Sequence, residues 1–248
     1  MFNNLLEHVM NTGEIQDLIN IQKEEAKSPN ASDYMVGLHN GLVVAKATLD
    51  GEMVDDDELL DIKENMEEKE QWFEERTNKH IGLVKKAAEK IATHNPEFRE
   101  FDGTELVHKV ANHDASKFKE PERTPYIELT WQHKTQGRKY ETPGTIKEKD
   151  INDATLHHIT TNSHHPEYYN KEEANIDSKD RDKSVKCLDV TKMPNLAIAE
   201  MIADWQAMSE ELGTSTARDW FNKQKDVRWH FNEHQVKLID KLLKVFEK

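Results

Sequence analysis

From about Asp57 to Thr93 the chain runs through one glycine, Gly82, and no proline. Glycine and proline are the residues that most readily end a helix. The whole 248-residue chain carries only nine and seven of them. The stretches between them are rich in Glu, Lys, Leu, Ala and Met, which favour helix. Apolar residues recur along them at helical spacing, so a core can form even though 33% of the residues are charged. The sequence therefore predicts an all-α fold.

Local signals divide the chain further. Residues 1–52 read as two or three short helices. The acidic run "DGEMVDDDELLD" is a linker or a helix N-terminus, where negative charge suits the dipole. The long helix is broken at "HNPEFREFDGT", and Thr104 is the expected cap of a helix over 105–115. "EPERTPYIELTWQHK" holds a short helix, and "TQGRKYETPGTIKEKD" reads as loop. Helix resumes near Asp150 and runs to His164, ended by Pro166. Residues 170–192 form a polar, irregular insertion. A strong helix follows, with Pro194 near its start and Gly213 just past its end, and a last helix covers about 232–247.

The charge balance excludes some functions. Lys and Arg number 34 against 48 Asp and Glu, a formal charge of −14. Such a surface repels phosphate backbones, so general nucleic-acid binding is not expected. A small phosphorylated substrate stays open where a metal or a local basic group offsets the charge. A single cysteine, Cys187, excludes an internal disulfide and a Cys-based zinc site. The first residues lack the pattern of a signal peptide, and no apolar run reaches 18 residues. A cytoplasmic protein with no membrane span is expected.

Ionisable residues then fall on inward faces. Around His80 the apolar stripe is Phe73, Val84, Ala87, Ala88 and Ile91, and His80 shares that face. Leu106 and Val110 lead on to His113 and Asp114. After Asp150 the stripe is Ile151, Ala154, Thr155, His158, Asn162 and His165. In "PNLAIAEMIADWQAMSEELG" the inward row is Ala197, Met201, Asp204, Met208 and Leu212. Singly, each has a plain structural reading, as a hydrogen-bonded core histidine, a paired carboxylate or a cap. Together they send histidine or aspartate into buried rows from four helices. An unpaired buried carboxylate costs several kcal/mol, and a shared divalent cation would offset that. Imidazole with carboxylate is the ligand mix of Zn, Mn, Fe or Co.

The order His80, His113-Asp114, Asp204 resembles the H…HD…D pattern of the HD-domain superfamily of metal-dependent phosphohydrolases. "NHDASKF", "ATLHHITTNSHHPEYY" and "EMIADWQAMSEELG…DWFNK" resemble, more narrowly, an uncharacterised HD-like family common in phage and bacterial genomes. The resemblance runs from about His80 to Leu243. It implies an HD-like helical bundle over 58–248, with residues 1–57 as an N-terminal helical extension. That extension is a homodimer contact, a lid or plain packing. It further implies that His80, His113, Asp114 and Asp204 hold a first divalent ion, with Asp114 able to bridge to a second. Mn, Fe, Co, Zn or Ni fits better than Mg. If the gene is phage-borne, the setting is the host cytoplasm.

The segment "LHHITTNSHHPEYY" bears on a second ion. His158 and His165 share a face, but about 10 Å of helix rise would separate them. His164 and His165 can fold back, because Pro166 disfavours helix at His165. His157 is expected to face solvent, and His133 is an alternative ligand. In the implied chemistry the metal polarises a phosphoryl oxygen and lowers the pKa of a bound water. Asp114 or Asp204 orients that water, and Lys117 balances phosphate charge. Asn162, Tyr126 and Lys134 are candidate substrate contacts, and Trp131 and Tyr168 flank them. Arg228 and Trp229 read as packing. The competing readings are an HD-like di-iron oxygenase and a non-catalytic, metal-stabilised binding protein.

Overall fold

A computed structural model describes residues 12–27, 33–54, 59, 62–98, 100–137, 142–176 and 186–247. Nine α-helices occur among the described residues. They are α1 Thr12–Ala26, α2 Asp33–Asp50, α3 Ile62–Phe98, α4 Gly103–Lys109, α5 Arg123–Gln136, α6 Glu148–Thr161, α7 Asn195–Leu212, α8 Ala217–Gln224 and α9 Glu233–Lys244. Two short parallel strands, β1 Leu188–Asp189 and β2 Trp229–His230, pair Leu188 with Trp229. The fold is all-α, as the scarcity of helix breakers predicts. No helix among the described residues is long and apolar enough to cross a membrane.

The chain forms two compact units, Met1–Trp72 with Glu128–Lys147, and Phe73–Ile127 with Glu148–Lys248. In the first unit, α1 packs on α2 through Ile15, Ile19 and Val43. Lys69 is buried there and lies 3.2 Å from Glu128 Oε1. Thr145 donates to Glu128 Oε2 at 2.7 Å.

The second unit is built around α7. Every residue from Ala197 to Ala203 is buried, as are Trp205 and Ala207. A helix buried on nearly all sides is a central one. The α3 stripe of Val84, Ala87, Ala88 and Ile91 joins the same core, with Leu106, Leu238, Ile239 and Leu242. Each such valine, leucine or isoleucine contributes roughly 1.5–3 kcal/mol when fully buried. Trp229 of β2 stacks on Trp205 at 5.7 Å between ring centroids.

Several helix ends differ from expectation. The long helix continues to Phe98, past Thr93. Asp102, not Thr104, caps α4, accepting from the Thr104 backbone N–H at 2.8 Å. That helix stops at Lys109, and Val110–Asn112 tighten into a 3-10 turn. Helix α6 stops at Thr161, before His164. There the Asn162 side chain donates to the His158 carbonyl at 2.9 Å and competes with further helix. At α7 the signals hold: Pro194 precedes it, and Gly213 closes it at φ +65°. Of 170–192, residues 177–185 lie outside the described residues. Its far end carries β1 and the buried Leu188 and Val190.

Gly103, the first residue of α4, packs directly against α3. A Cβ there would lie 3.1 Å from the Ala92 Cα. A helix backbone cannot swing aside as a flexible side chain would. Gly103→Ala is expected to destabilise the protein by about 1–3 kcal/mol. Urea denaturation followed by circular dichroism measures this, and an unchanged midpoint would contradict the close approach.

Candidate metal centre

Three helices of the second unit and two segments between helices carry the histidines and carboxylates. His80 comes from α3, His158 from α6, and Glu200, Asp204 and Glu211 from α7. His164 and His165 stand in the turn after α6. His113 and Asp114, expected on the helix over 105–115, lie instead between two 3-10 turns. His113 is extended, at φ −54° and ψ 133°, and Asp114 is left-handed, at φ 58°. Left-handed backbone costs a non-glycine residue roughly 1–2 kcal/mol and is best tolerated by Asn and Asp. On a helix, adjacent side chains diverge by about 100°. Here the backbone reversal lets the adjacent pair serve one cluster.

The geometry converges on Asp114. Its Oδ1 lies 3.4 Å from His158 Nε2, 3.5 Å from His164 Nε2 and 3.7 Å from His113 Nε2. Its Oδ2 is 2.6 Å from Lys117 Nζ and 3.9 Å from His80 Nε2. Asp204 Oδ1 lies 2.9 Å from His80 Nε2 and 3.7 Å from His113 Nε2. Asp114 Oδ1, His113 Nε2, His164 Nε2 and His165 Nε2 are buried and make no hydrogen bond among the described residues. His165 is drawn back onto the cluster, its ring 4.8 Å from that of His158. Its backbone is extended, as Pro166 requires.

Glutamates stand behind the outward nitrogens. His113 Nδ1 faces Glu200 Oε1 at 3.2 Å, and His164 Nδ1 faces the same oxygen at 3.6 Å. His158 Nδ1 donates to Glu122 Oε2 at 2.8 Å, and His80 Nδ1 lies 3.3 Å from Glu211 Oε2. A carboxylate behind each Nδ1 turns Nε2 inward, the arrangement that orients metal-ligating histidines.

Electrostatics point the same way. Burial alone would raise Asp114, yet Lys117 and the three histidines hold its carboxyl well below the usual carboxylate range. Asp204 is likewise held low against burial by His113 and His80. Burial disfavours charge on His113, but Asp114, Asp204 and Glu200 outweigh it and push the imidazole up to about 10. Against burial, Asp204 and Glu211 raise His80. His164 and His165 go down, first from burial and then from neighbouring imidazoles. The cluster is thus an anionic pocket that favours a cation at its centre.

These residues fit a divalent ion. Ligand atoms 2.0–2.2 Å from one ion, at tetrahedral or octahedral angles, lie roughly 2.9–3.5 Å apart. The closest histidine–carboxylate separations run from 2.9 to 3.9 Å. His80, His113 and Asp204 offer ligand atoms within 4.8 Å of one another, and so do His158, His164 and His165. His113, His164 and Glu200 form a third such group. A metal ion could be held here; the donor set does not name it.

All seven residues expected as ligands, His80, His113, Asp114, His158, His164, His165 and Asp204, lie in this cluster. Lys117 is beside it, with the Tyr126 ring 5.5 Å from its Nζ. Asn162 donates to Ser116 Oγ at 2.8 Å and so ties the α6 end to the turn after Asp114. Lys134, Trp131 and His133 belong to the other unit. There Lys134 Nζ sits 4.4 Å from the Trp72 ring and 4.5 Å from the Trp131 ring. Lys171 covers Tyr168 at 3.8 Å. His157 is partly exposed but also donates to Glu122 Oε1, at 2.7 Å. Glu122, Glu200 and Glu211 escaped the sequence reading. Glu200, Asp204 and Glu211 repeat at i, i+4 and i+11, one helix face, and that spacing was readable. Glu122 follows a turn and carries no periodic signal.

An all-helical domain with a buried histidine–carboxylate cluster is the class that fold and site define. The family model of DUF5662, a family of unknown function, matches residues 69–245, and the chain belongs to that family. The match spans every residue of the cluster. No curated protein and no solved structure matches the chain.

The protonation pattern predicts how the metal-free protein responds to pH. His113 is raised from 6.5 to about 10, so its stabilisation is complete below pH 6.5 and is lost as pH rises toward 10. His80 acts in the same direction. His164 and His165 are lowered, so they favour the folded state increasingly as pH rises to 6.5 and add nothing beyond. In chelator, the melting temperature should peak near pH 6.5 and fall through pH 9. Saturating metal needs deprotonated ligands, so the gap between loaded and chelated melting temperatures should widen over that range. Paired thermal melts check both, and a chelated protein that gains stability from pH 7 to 9 would contradict the assignment.

Proposed function

We propose that the chain is a metal-dependent phosphohydrolase of the HD-domain kind, acting on a small nucleotide or related phosphoester. The observation that carries the reading is Asp114 Oδ1, buried without a hydrogen bond among the described residues while the Nε2 atoms of His113, His158 and His164 face it. His80, His113, Asp114 and Asp204 would hold one ion. His158, His164 and His165 would hold another, with Asp114 common to both. A bound divalent transition ion, Mn, Fe, Co, Zn or Ni, supplies polarisation of the phosphoryl oxygen and acidification of a water.

The chain's own groups do the rest. Asp114 stays ionised at neutral pH and can accept a hydrogen bond from the attacking water, orienting it. Lys117 is partly exposed, so its ammonium can meet a phosphate oxygen while it neutralises Asp114 Oδ2. Tyr126 stands edge-on to His158 at 5.8 Å and offers a ring face on which a base can stack. The glutamates behind the rings keep the Nε2 atoms aimed inward. Such a reaction fits a cytoplasmic setting, in a host cell if the gene is phage-borne.

A panel of nucleotides and nitrophenyl phosphoesters, assayed with Mn, Co, Zn, Fe and Mg, tests this. Elemental analysis should find roughly one or two transition-metal ions per chain, and His113→Ala should lose them. Asp114→Asn keeps a side chain that tolerates the left-handed backbone and removes the charge; it should lower phosphate release about 100-fold or more. An active protein free of metal would sink the proposal. Oxygen uptake with Fe(II) and no phosphate release would move the assignment to an oxygenase.

A further inference from the structure

The turn that carries His164 and His165 runs straight into Glu167. This glutamate is fully buried, in a 3-10 turn over Pro166–Asn170. Its Oε1 collects three donors, Arg228 Nε at 3.0 Å, Arg228 Nη2 at 2.8 Å and Trp229 Nε1 at 2.9 Å. Its Oε2 makes no hydrogen bond among the described residues. Arg228 lies over the Trp229 ring at 4.6 Å, and Trp229 stacks on Trp205, the neighbour of Asp204 on α7. The same turn is closed by Tyr169 Oη donating to the Ser163 carbonyl at 3.0 Å.

A buried ion pair with an oxygen left unbonded is a poor way to gain stability, since apolar packing of similar volume often does as well or better. It is a good way to fix register, because three convergent donors leave Glu167 one position. Glu167 is only two and three residues beyond the histidines, so displacing it displaces them. The route from Glu167 through Arg228, Trp229 and Trp205 ends beside Asp204. One clamp thereby ties the histidine pair to the helix that carries the carboxylate.

We propose that Glu167 is a positioning residue for the imidazole-rich half of the centre. Through Arg228 and Trp229 it sets the turn that presents His164 and His165. The inference rests on the two-ion reading above, and its test separates the two. The paired variant Glu167→Leu with Arg228→Met replaces the buried pair by apolar groups of similar volume. Glu167→Gln keeps the accepting oxygen. In metal-free protein, the ring-nitrogen NMR signals of His164 and His165 should move in the paired variant while those of His80 stay. Titration with Zn or Mn should show the ion of His158, His164 and His165 weakened 10–100-fold in affinity, with the other ion kept. Glu167→Gln should fall between the paired variant and wild type in both measurements. Wild-type ring signals in a folded paired variant would overturn the proposal. If that variant does not fold, wild-type signals in Glu167→Gln overturn it instead. Should the wild-type protein take up only one ion, the two-ion reading fails, and the ring signals of metal-free protein still decide the clamp.

Discussion

The Asp114 carboxylate is the constraint around which the second unit is arranged. It is buried among imidazoles, on a left-handed residue, with one oxygen on Lys117 and the other facing three ring nitrogens at 3.4 to 3.7 Å. A carboxylate in such surroundings stays charged only if cations surround it. The raised His113 and the depressed Asp114 are two sides of that requirement. Protons on His80 and His113 satisfy it in part, and a divalent ion would satisfy it more fully. The same anionic field that holds those protons therefore favours metal, and the two compete for one set of ligands.

Such a field is useful only if the ligands are rigid. Helix α7 supplies that rigidity, being buried along most of its length and carrying Glu200, Asp204 and Glu211 on one face. Glu200 behind His113 and Glu122 behind His158 add a second restraint, because a ring hydrogen-bonded at Nδ1 does not rotate freely at Nε2. Lys109 donates to Ser163 Oγ at 2.7 Å and lies 3.3 Å from Glu200 Oε2, so the histidine turn and α7 share a fastening at the rim. Packing and charge act on the same atoms. Apolar burial fixes the helix axes, and hydrogen bonds then fix the rings.

Much of this was legible in the sequence, for reasons that differ between residues. The all-α class follows from helix formers running unbroken, and the α3 stripe from Val84 to Ile91 follows from a period of 3.6. Asp204 betrays itself as a carboxylate within an apolar row. His164 and His165 were readable through Pro166, which denies helix to the residue before it. What escaped notice was made by tertiary structure. The His113–Asp114 turn reads as helix because its backbone reversal is set by burial and charge, not by local propensity. Glu122 gains its role only when α6 is laid against the turn at Ser116. Arg228 and Trp229 look like packing until Glu167, some sixty residues earlier, is brought beneath them.

The overall charge narrows what such a centre can serve. At −14, the chain repels phosphates at long range, but at physiological ionic strength exposed charges are screened beyond about 8 Å. An anion that diffuses close therefore feels mainly the local charges. At the rim these are Lys117, Lys109 and Arg76, the last held by Glu211 at 2.9 Å. Inside, the carboxylates of Asp114 and Asp204 would repel a phosphate if nothing lay between. One divalent ion among the histidines would offset those two charges and a second would reverse them, so the proposed anionic substrate would depend on the metal. A long nucleic acid would carry most of its phosphates past this small region and over acidic surface. A short phosphoester would present its charge only where the field is favourable, which is why the proposed substrate is a small one.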